Sequence, residues 1–376
     1  MLIVRILKGL IFPIKTAVNL AVRAIEALNR KELYGLDHAV LSVELPPTKG
    51  MWMNLGYWKN TNSFPEACEA LLDQVLIAAR LLDEDRTPIA FSAETDSMSE
   101  GPFPHEIRLI DVGIGCGDQS LYLTRQCFRS TEVPTTASGT REASSVRPLF
   151  DSYVGLTIVQ SQADFARDRL SQPGSTIDPE RSFQKTPNVK VFAADAAEPA
   201  SWEEELKTAV FGPSVEQGYK STKQSHTWLL ALDTLYHFRP SRDEIFRCAY
   251  QDMQASIMAF DLLLSDQATL WERFILRMMC LLAGLPYGNF VTKEGYRKIL
   301  TQAGYDRDLI EMRDISGHVF SGIAGFLRKK DAELSRYGMT VGKFKGPAKA
   351  FDWWAQTGVV RGVIVVARRS EMPGTE

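Results

Sequence analysis

A buried strand that runs into a glycine-rich turn constrains this chain more than any other feature. Residues 107–112 are mostly apolar, and Gly113, Gly115 and Gly117 follow at alternate positions. Residues 119–128 then have the apolar spacing of a helix. A strand, a glycine turn and a helix in this order open a nucleotide-binding α/β fold, with the ligand over the turn. We therefore expect a mainly parallel sheet with helices packed against it.

Asp111, at the end of this strand, indicates which nucleotide the turn binds. The dinucleotide fingerprint places its third glycine three residues after the second, whereas Gly117 comes two residues after Gly115. Asp111 would also repel a pyrophosphate. The turn resembles motif I of the class I S-adenosylmethionine-dependent methyltransferases, whose cofactor has no phosphate and carries an ammonium group that needs an acceptor. The alternatives are an ordinary strand–helix turn and an NAD-dependent enzyme, which Asp111 and the spacing disfavour.

Composition indicates a globular protein without a nucleic-acid partner. The chain has 376 residues, of which 45% are hydrophobic, and a net charge of −3. This length allows one large domain with additions or two domains. The five cysteines form no CxxC pair and no metal-binding spacing, so we expect a reducing compartment and no metal site.

Residues 1–27 are rich in Leu, Ile, Val and Ala, and on a helix their charges form one narrow stripe opposite a wide apolar face. Their longest uncharged run, residues 16–22, is far shorter than the ~20 residues that span a bilayer. We expect residues 1–50 to form a helical extension. Its first helix either packs on its own domain or lies on the cytoplasmic face of an intracellular membrane, such as the endoplasmic reticulum. The basic residues of the stripe are Arg5, Lys8, Lys15 and Arg23.

An aromatic stretch at residues 51–58 precedes a predicted helix over 64–82 and a polar linker over 83–104. The stretch resembles the "GYW" segment of methyltransferases of the sterol, tocopherol and cyclopropane-fatty-acid type. That resemblance implies a helical lid over residues 51–104, with Tyr57 in contact with the methionine part of the cofactor. The alternative is that Tyr57 packs in the core.

A low-complexity insertion at residues 129–148 separates the first helix from the next strand, 153–157. Most nucleotide-binding folds end this strand with an acidic residue that binds the ribose, but here the residue is Thr157. The stretch that starts at Gly155 (GLTIVQSQ) resembles the "GIT-L-S-x-x-Q" segment of the same lipid-type methyltransferases. The resemblance implies that Thr157 and Gln162 contact the nucleoside.

The third predicted strand, 189–193, ends before Asp195 and Ala196. A carboxylate at this strand end can accept the amino proton of adenine, and it can also cap the segment that follows. We assign Asp195 and Ala196 to the cofactor site.

The fourth predicted strand, 227–233, is apolar on both faces, as a central parallel strand should be. Because ligands bind outside the carboxyl ends of such strands, Asp233 is expected at the cofactor and Tyr236 and His237 near the transferring methyl group. The sequence "YHF" after this strand again resembles lipid and small-molecule methyltransferases. A structural role for His237 is the alternative.

Strands predicted at 256–264, 309–315 and 359–368 complete a seven-stranded, Rossmann-like core over 105–369. Helical caps are expected at 267–290 and 320–356. The first cap could cover the acceptor, pack as a core helix or face a membrane.

The resemblance, which extends to fungal small-molecule methyltransferases, implies methylation of an apolar lipid or secondary metabolite at oxygen or carbon. Methyl transfer depends chiefly on alignment, so few catalytic groups are needed. We expect His237 to act as a base toward a hydroxyl acceptor, and Tyr57 and Tyr236 to stabilise a cation if the acceptor is an alkene. The alternative is a protein that retains S-adenosylmethionine and binds or rearranges a small molecule without methyl transfer. The sequence leaves the oligomeric state open.

Overall fold

The computed structural model describes residues 50–89, 106–125, 127–129, 146–171, 187–212, 225–336 and 339–370. The predictions for residues 1–27, for the linker beyond residue 89 and for most of the 129–148 insertion fall outside these ranges.

Seven strands form one sheet in the order β5-β4-β1-β6-β7-β9-β8, which confirms the predicted seven-stranded α/β fold. All neighbours pair in parallel except β9, which runs antiparallel to both β7 and β8. The strands are β1 (Glu106–Val112), β4 (Ser152–Thr157), β5 (Asn188–Ala193), β6 (Ser225–Leu232), β7 (Ala255–Leu264), β8 (Ile310–Asp314) and β9 (Val360–Ala367). A separate antiparallel pair joins β2 (Cys127–Arg129) and β3 (Val146–Pro148), so the two ends of the predicted insertion are held together.

Helices cover both faces of the sheet because its strands are apolar on both sides. The helices are α1 (Phe64–Ala78), α2 (Asp118–Arg125), α3 (Gln160–Ser171), α4 (Glu204–Phe211), α5 (Asp243–Gln251), α6 (Leu270–Ala283), α7 (Lys293–Ala303), α8 (Phe320–Ser335) and α9 (Lys345–Thr357). One core lies between the sheet and α1, α2, α3, α8 and α9, and the other between the sheet and α4, α5 and α7.

Helix α1 is a core helix. Pro65 occupies its first turn, where a missing N–H costs nothing. Its Phe64, Leu71 and Leu76 side chains are almost fully buried. A lid role for residues 51–104 stays a prediction. Helix α1 packs in the core, and α6, α8 and α9 cap the carboxyl ends of the strands.

Helix α6 has well-defined ends. Thr269 and Glu272 form a reciprocal capping box at its start, and Gly284 ends it in the left-handed conformation with a φ of +67°. The two caps fix the residues at which α6 begins and ends. Among the described residues, no helix has the length and apolar character needed to cross a bilayer.

Candidate active site

A cavity of about 680 Å³ lies at the carboxyl ends of the parallel strands. One end is polar and is bounded by the glycine turn and the ends of β4, β5 and β6. The other end is apolar and is bounded by α6, α8 and α9. Its apolar wall includes Leu276, Met279, Cys280, Ile323, Leu327, Phe351 and Trp354.

Most residues predicted for the site line this cavity: Gly113, Gly115, Thr157, Gln162, Asp195, Ala196, Asp233, Tyr236 and His237. Asp111, Gly117 and Tyr57 do not. Asp118 and Gln119, at the start of α2, line the cavity and were not predicted from the sequence.

The glycines of the turn have different roles. A Cβ on Gly113 would lie 2.5 Å from Thr234 Oγ1, and one on Gly115 would lie 2.6 Å from Met53 Sδ, over the cavity. A Cβ on Gly117 would instead lie 2.8 Å from the Cβ of Ala166 in α3. Gly115 therefore permits the Met53 side chain to lie against the turn at the cavity wall, whereas Gly117 permits α2 and α3 to pack closely.

Asp111 lies behind the turn, with its side chain fully buried. It accepts hydrogen bonds from the Gln119 amide at 2.8 Å and the Tyr153 hydroxyl at 2.6 Å. Burial raises the pKa of the Asp111 carboxyl to about 7, although both hydrogen bonds oppose that rise. Asp111 can thus act on a ligand only through Gln119, whose orientation it fixes.

The pH dependence of stability tests this burial. The folded protein keeps a proton on Asp111 up to about pH 7, whereas the unfolded chain loses it near a pKa of about 3.9. Because the folded state then binds more protons, the free energy of unfolding should fall as the pH rises between these values. From pH 5 to 8 we expect the free energy of unfolding of wild type to fall by about 2–3 kcal/mol relative to that of Asp111→Asn, because asparagine cannot ionise.

Denaturant titration at several pH values measures this difference. Asp168→Asn, on the exposed side of α3, is the control and should follow wild type. If the free energy of unfolding changed with pH in the same way for wild type and Asp111→Asn, the buried carboxyl would be ionised over the whole pH range.

Thr157 and Gln162 act as a pair. The Thr157 hydroxyl donates to Gln162 Oε1 at 2.8 Å, which directs the amide Nε2 toward Met53 Sδ at 3.8 Å. Both side chains are buried at the cavity wall. The hydrogen bond therefore presents an N–H donor to the space beside Gly115.

Two carboxylates at strand ends complete the polar wall. Asp195 Oδ1 accepts from the Ala197 backbone N–H at 2.9 Å, and the residue also lines the cavity. Asp195 is not the helix N-cap that the alternative expected, because Glu198 holds that position in the 3-10 turn that follows. Asp233 Oδ2 accepts from the Leu55 N–H at 2.8 Å, while its buried Oδ1 has no hydrogen-bond partner among the described residues. Burial raises the pKa of Asp233 well above its ordinary value. A ligand that brings a hydrogen-bond donor would satisfy the buried Oδ1.

The aromatic stretch before α1 lines the cavity with residues 51–55, which include Trp52 and Met53, but the rings of Tyr57 and Trp58 lie elsewhere. The Tyr57 ring makes an edge contact with His318, with ring centroids 5.1 Å apart. The Trp58 ring packs on Phe64 and Phe326 of the core. The structure therefore places Tyr57 away from the cavity wall, as the core-packing alternative expected.

Tyr236 and His237 lie on a single 3-10 turn after β6, with ring centroids 4.1 Å apart, where the polar and apolar ends of the cavity meet. The Asn289 amide donates to the carbonyl oxygens of Tyr236 at 3.3 Å and Phe238 at 2.7 Å. The turn is thus held from behind by a buried side chain.

A buried ion pair holds Asn289 in turn. Arg242 donates to the Asn289 carbonyl oxygen and pairs with Asp261, which also accepts from the Tyr296 hydroxyl at 3.0 Å. Arg242 and Asp261 are 1% and 0% exposed, so neither side chain can be satisfied by water. This network was not predicted from the sequence. An aspartate in the apolar run of β7 was the available signal, since a buried carboxylate requires a partner.

Comparison with known proteins adds evidence at the level of the fold. No protein-family model and no curated protein sequence matches the chain. Solved structures do match. A mycolic acid cyclopropane synthase in complex with SAH and CTAB is 11% identical, with a TM-score of 0.54 over 89% of this chain and 95% of that one.

Two further structures are similar to the same extent. A cyclopropane synthase from Mycobacterium tuberculosis is 13% identical, with a TM-score of 0.53 over 89% of this chain and 94% of that one. A (4+2)-cyclase is 18% identical, with a TM-score of 0.50 over 91% and 95%. The chain therefore has the seven-stranded fold of the class I S-adenosylmethionine-dependent methyltransferases.

Proposed function

We propose that this protein transfers a methyl group from S-adenosylmethionine to an apolar small molecule, either a lipid or a secondary metabolite. One observation carries the proposal: a single cavity joins a polar end, built on the glycine turn, to an apolar end under three helices. A cofactor and an apolar acceptor can therefore meet inside one cavity.

The polar end fits a cationic cofactor. Gly115 brings the backbone of the turn to the cavity wall beside Met53, and Gln119 and Gln162 offer fixed amide groups. Asp195 and Asp233 supply carboxylates, one with an oxygen that lacks a hydrogen bond among the described residues. We assign these five residues to cofactor binding. When bound, S-adenosylmethionine would supply an electrophilic methyl group on a sulfonium.

The chain's own part in the reaction is to orient the acceptor, exclude water and move one proton. The apolar wall excludes water from the acceptor end. His237, at the junction of the two ends, takes the proton of a hydroxyl acceptor, and Tyr236 offers an aromatic face to a developing cation. For Tyr57, a catalytic role stays a prediction that its place against His318 does not support.

Replacing His237 separates catalysis from cofactor binding. We expect His237→Ala to lower turnover by about 100-fold or more, because general base catalysis contributes about that much. Cofactor affinity, measured by calorimetry, should stay nearly unchanged. His318→Ala, outside the cavity, is the control and should keep full turnover. Loss of cofactor binding or of folding in step with turnover would instead make His237 a structural residue.

The proposed reaction is tested by incubating the protein with S-adenosylmethionine labelled in its methyl group and an extract of lipids and small metabolites. A labelled product, absent with the His237→Ala variant, is the expected result. The similarity to a (4+2)-cyclase favours one other candidate, a protein that retains the cofactor and rearranges its substrate. Cofactor binding together with an unlabelled, altered product would support that candidate.

We also propose a peripheral location on the cytoplasmic face of an intracellular membrane, through the amphipathic segment 1–27. Its cations would lie at the headgroups, and each contributes about 1 kcal/mol on an anionic surface. Flotation with liposomes should carry the full chain upward, and a chain that begins at Asn29 should float less. Equal behaviour of the two chains would contradict the proposal.

A further inference from the structure

Helix α6 carries the largest group of exposed apolar side chains among the described residues. Leu270, Trp271 and Leu282 are 87%, 67% and 77% exposed. The full set is Leu270, Trp271, Phe274, Met278, Leu281 and Leu282, which we call the α6 stripe. Its spacing of three, four and seven residues places these side chains along one side of the helix. An apolar face of this kind on a soluble protein marks an interaction site.

The stripe is continuous with the cavity. The opposite side of α6 lines the apolar end through Leu276, Met279 and Cys280. Leu282 belongs to both sets, since it is exposed to solvent and also lines the cavity. The outer face of α6 therefore meets the cavity at the end of the helix, at Leu282.

The area of the stripe argues against a second copy of the chain as its partner. A helix of this length is about 20 Å long and presents a face about 10 Å wide. That gives about 200 Å², against about 800 Å² per partner in a stable interface.

Charge argues against the segment 1–27 as the cover of the α6 stripe. Helix α6 carries Arg273 and Arg277 against one acid, Glu272, which is held in the capping box. The segment 1–27 is basic as well, with Glu26 its only acid. Two basic segments would repel each other, whereas both would be attracted to anionic headgroups.

We propose that the α6 stripe docks on the surface of a lipid bilayer that contains anionic headgroups. The apolar side chains enter the boundary between headgroups and acyl chains, with Trp271 at the level that tryptophan favours. Arg277, which is exposed above the Tyr287 ring, lies at the headgroup phosphates. The cavity mouth then faces the bilayer. This docking does not depend on the proposed methyl transfer; only the delivery of an apolar acceptor through the mouth does.

The test uses the full chain and flotation with phosphatidylcholine vesicles, with and without phosphatidylserine. The test variant is Phe274→Glu with Leu281→Glu, two positions of the stripe that do not line the cavity. We expect it to bind at least about tenfold more weakly than wild type, because two apolar side chains no longer enter the lipid. Phe211→Glu, on the far helix α4 and 37% exposed, is the matched control and should bind as wild type does.

Two further measurements distinguish docking on lipid from a role of the α6 stripe in folding. The melting temperature of the double variant should match that of wild type without lipid, and exchange of the α6 amides should slow when vesicles are added. Equal vesicle binding by wild type and double variant would overturn the proposal. So would a changed oligomeric state in the double variant, which would assign the stripe to a second copy, or a lowered melting temperature without lipid, which would assign it to another part of this chain.

Discussion

The Gly115→Val variant is expected to lose S-adenosylmethionine binding while it keeps its fold. Gly115 has a φ of +55°, and a Cβ added to it would lie 2.6 Å from Met53 Sδ, the atom toward which the Gln162 amide points. A valine there would project into the polar end of the cavity and strain the turn. We expect affinity to fall by at least about 100-fold, which corresponds to ~2.7 kcal/mol. Calorimetry with S-adenosylmethionine measures the loss.

The Gly342→Val variant is a control that shows whether affinity is lost through the blocked space or through backbone strain. Gly342 has nearly the same φ, +54°, and a Cβ added to it would meet nothing within 4 Å. It does not line the cavity. This control should bind the cofactor as wild type does. The cofactor site would have to be placed elsewhere if Gly115→Val bound S-adenosylmethionine normally, or if the protein bound NADH tightly and S-adenosylmethionine not at all.

The sequence predicted the sheet well because its signals are local. The apolar runs of β1, β6 and β7 and the glycine turn each depend on a few consecutive residues. The strand ends then fix where side chains meet, since parallel strands bring their carboxyl ends to one edge. For that reason Thr157, Asp195 and Asp233 were predicted from three separate segments and lie on one cavity wall.

The residues that were misplaced depend on packing between distant segments. Asp111 faces away from the cavity because Tyr153, on the neighbouring strand, takes its carboxylate. Tyr57 lies against His318 because the Trp58 N–H donates to the His318 carbonyl oxygen, which ties this stretch to the start of α8. Neither contact can be predicted from the residues next to Asp111 or Tyr57 in the sequence. The sequence pattern therefore located the site and could not orient every side chain in it.

The Asp261→Ala variant is expected to lose about 3–5 kcal/mol of unfolding free energy, because it leaves the buried Arg242 guanidinium without its charged partner. The loss should reach the active site as well. Arg242 also holds Asn289, whose amide holds the turn that carries His237, so we expect turnover to fall at temperatures where the variant is still folded. Denaturant titration and the methyl-transfer assay measure the two effects.

Two controls separate the effect of the buried ion pair on stability from the effect of Arg242 on the turn that carries His237. Glu294→Ala removes an exposed partner of Arg307 and should leave stability essentially unchanged, since exposed ion pairs contribute little. The double variant Arg242→Met with Asp261→Leu fills the same space with apolar groups and should recover most of the lost stability. It still lacks the donor that holds Asn289, so turnover should stay low. Recovery of stability and turnover together would show that the pair serves folding alone and that the turn needs no support from Arg242.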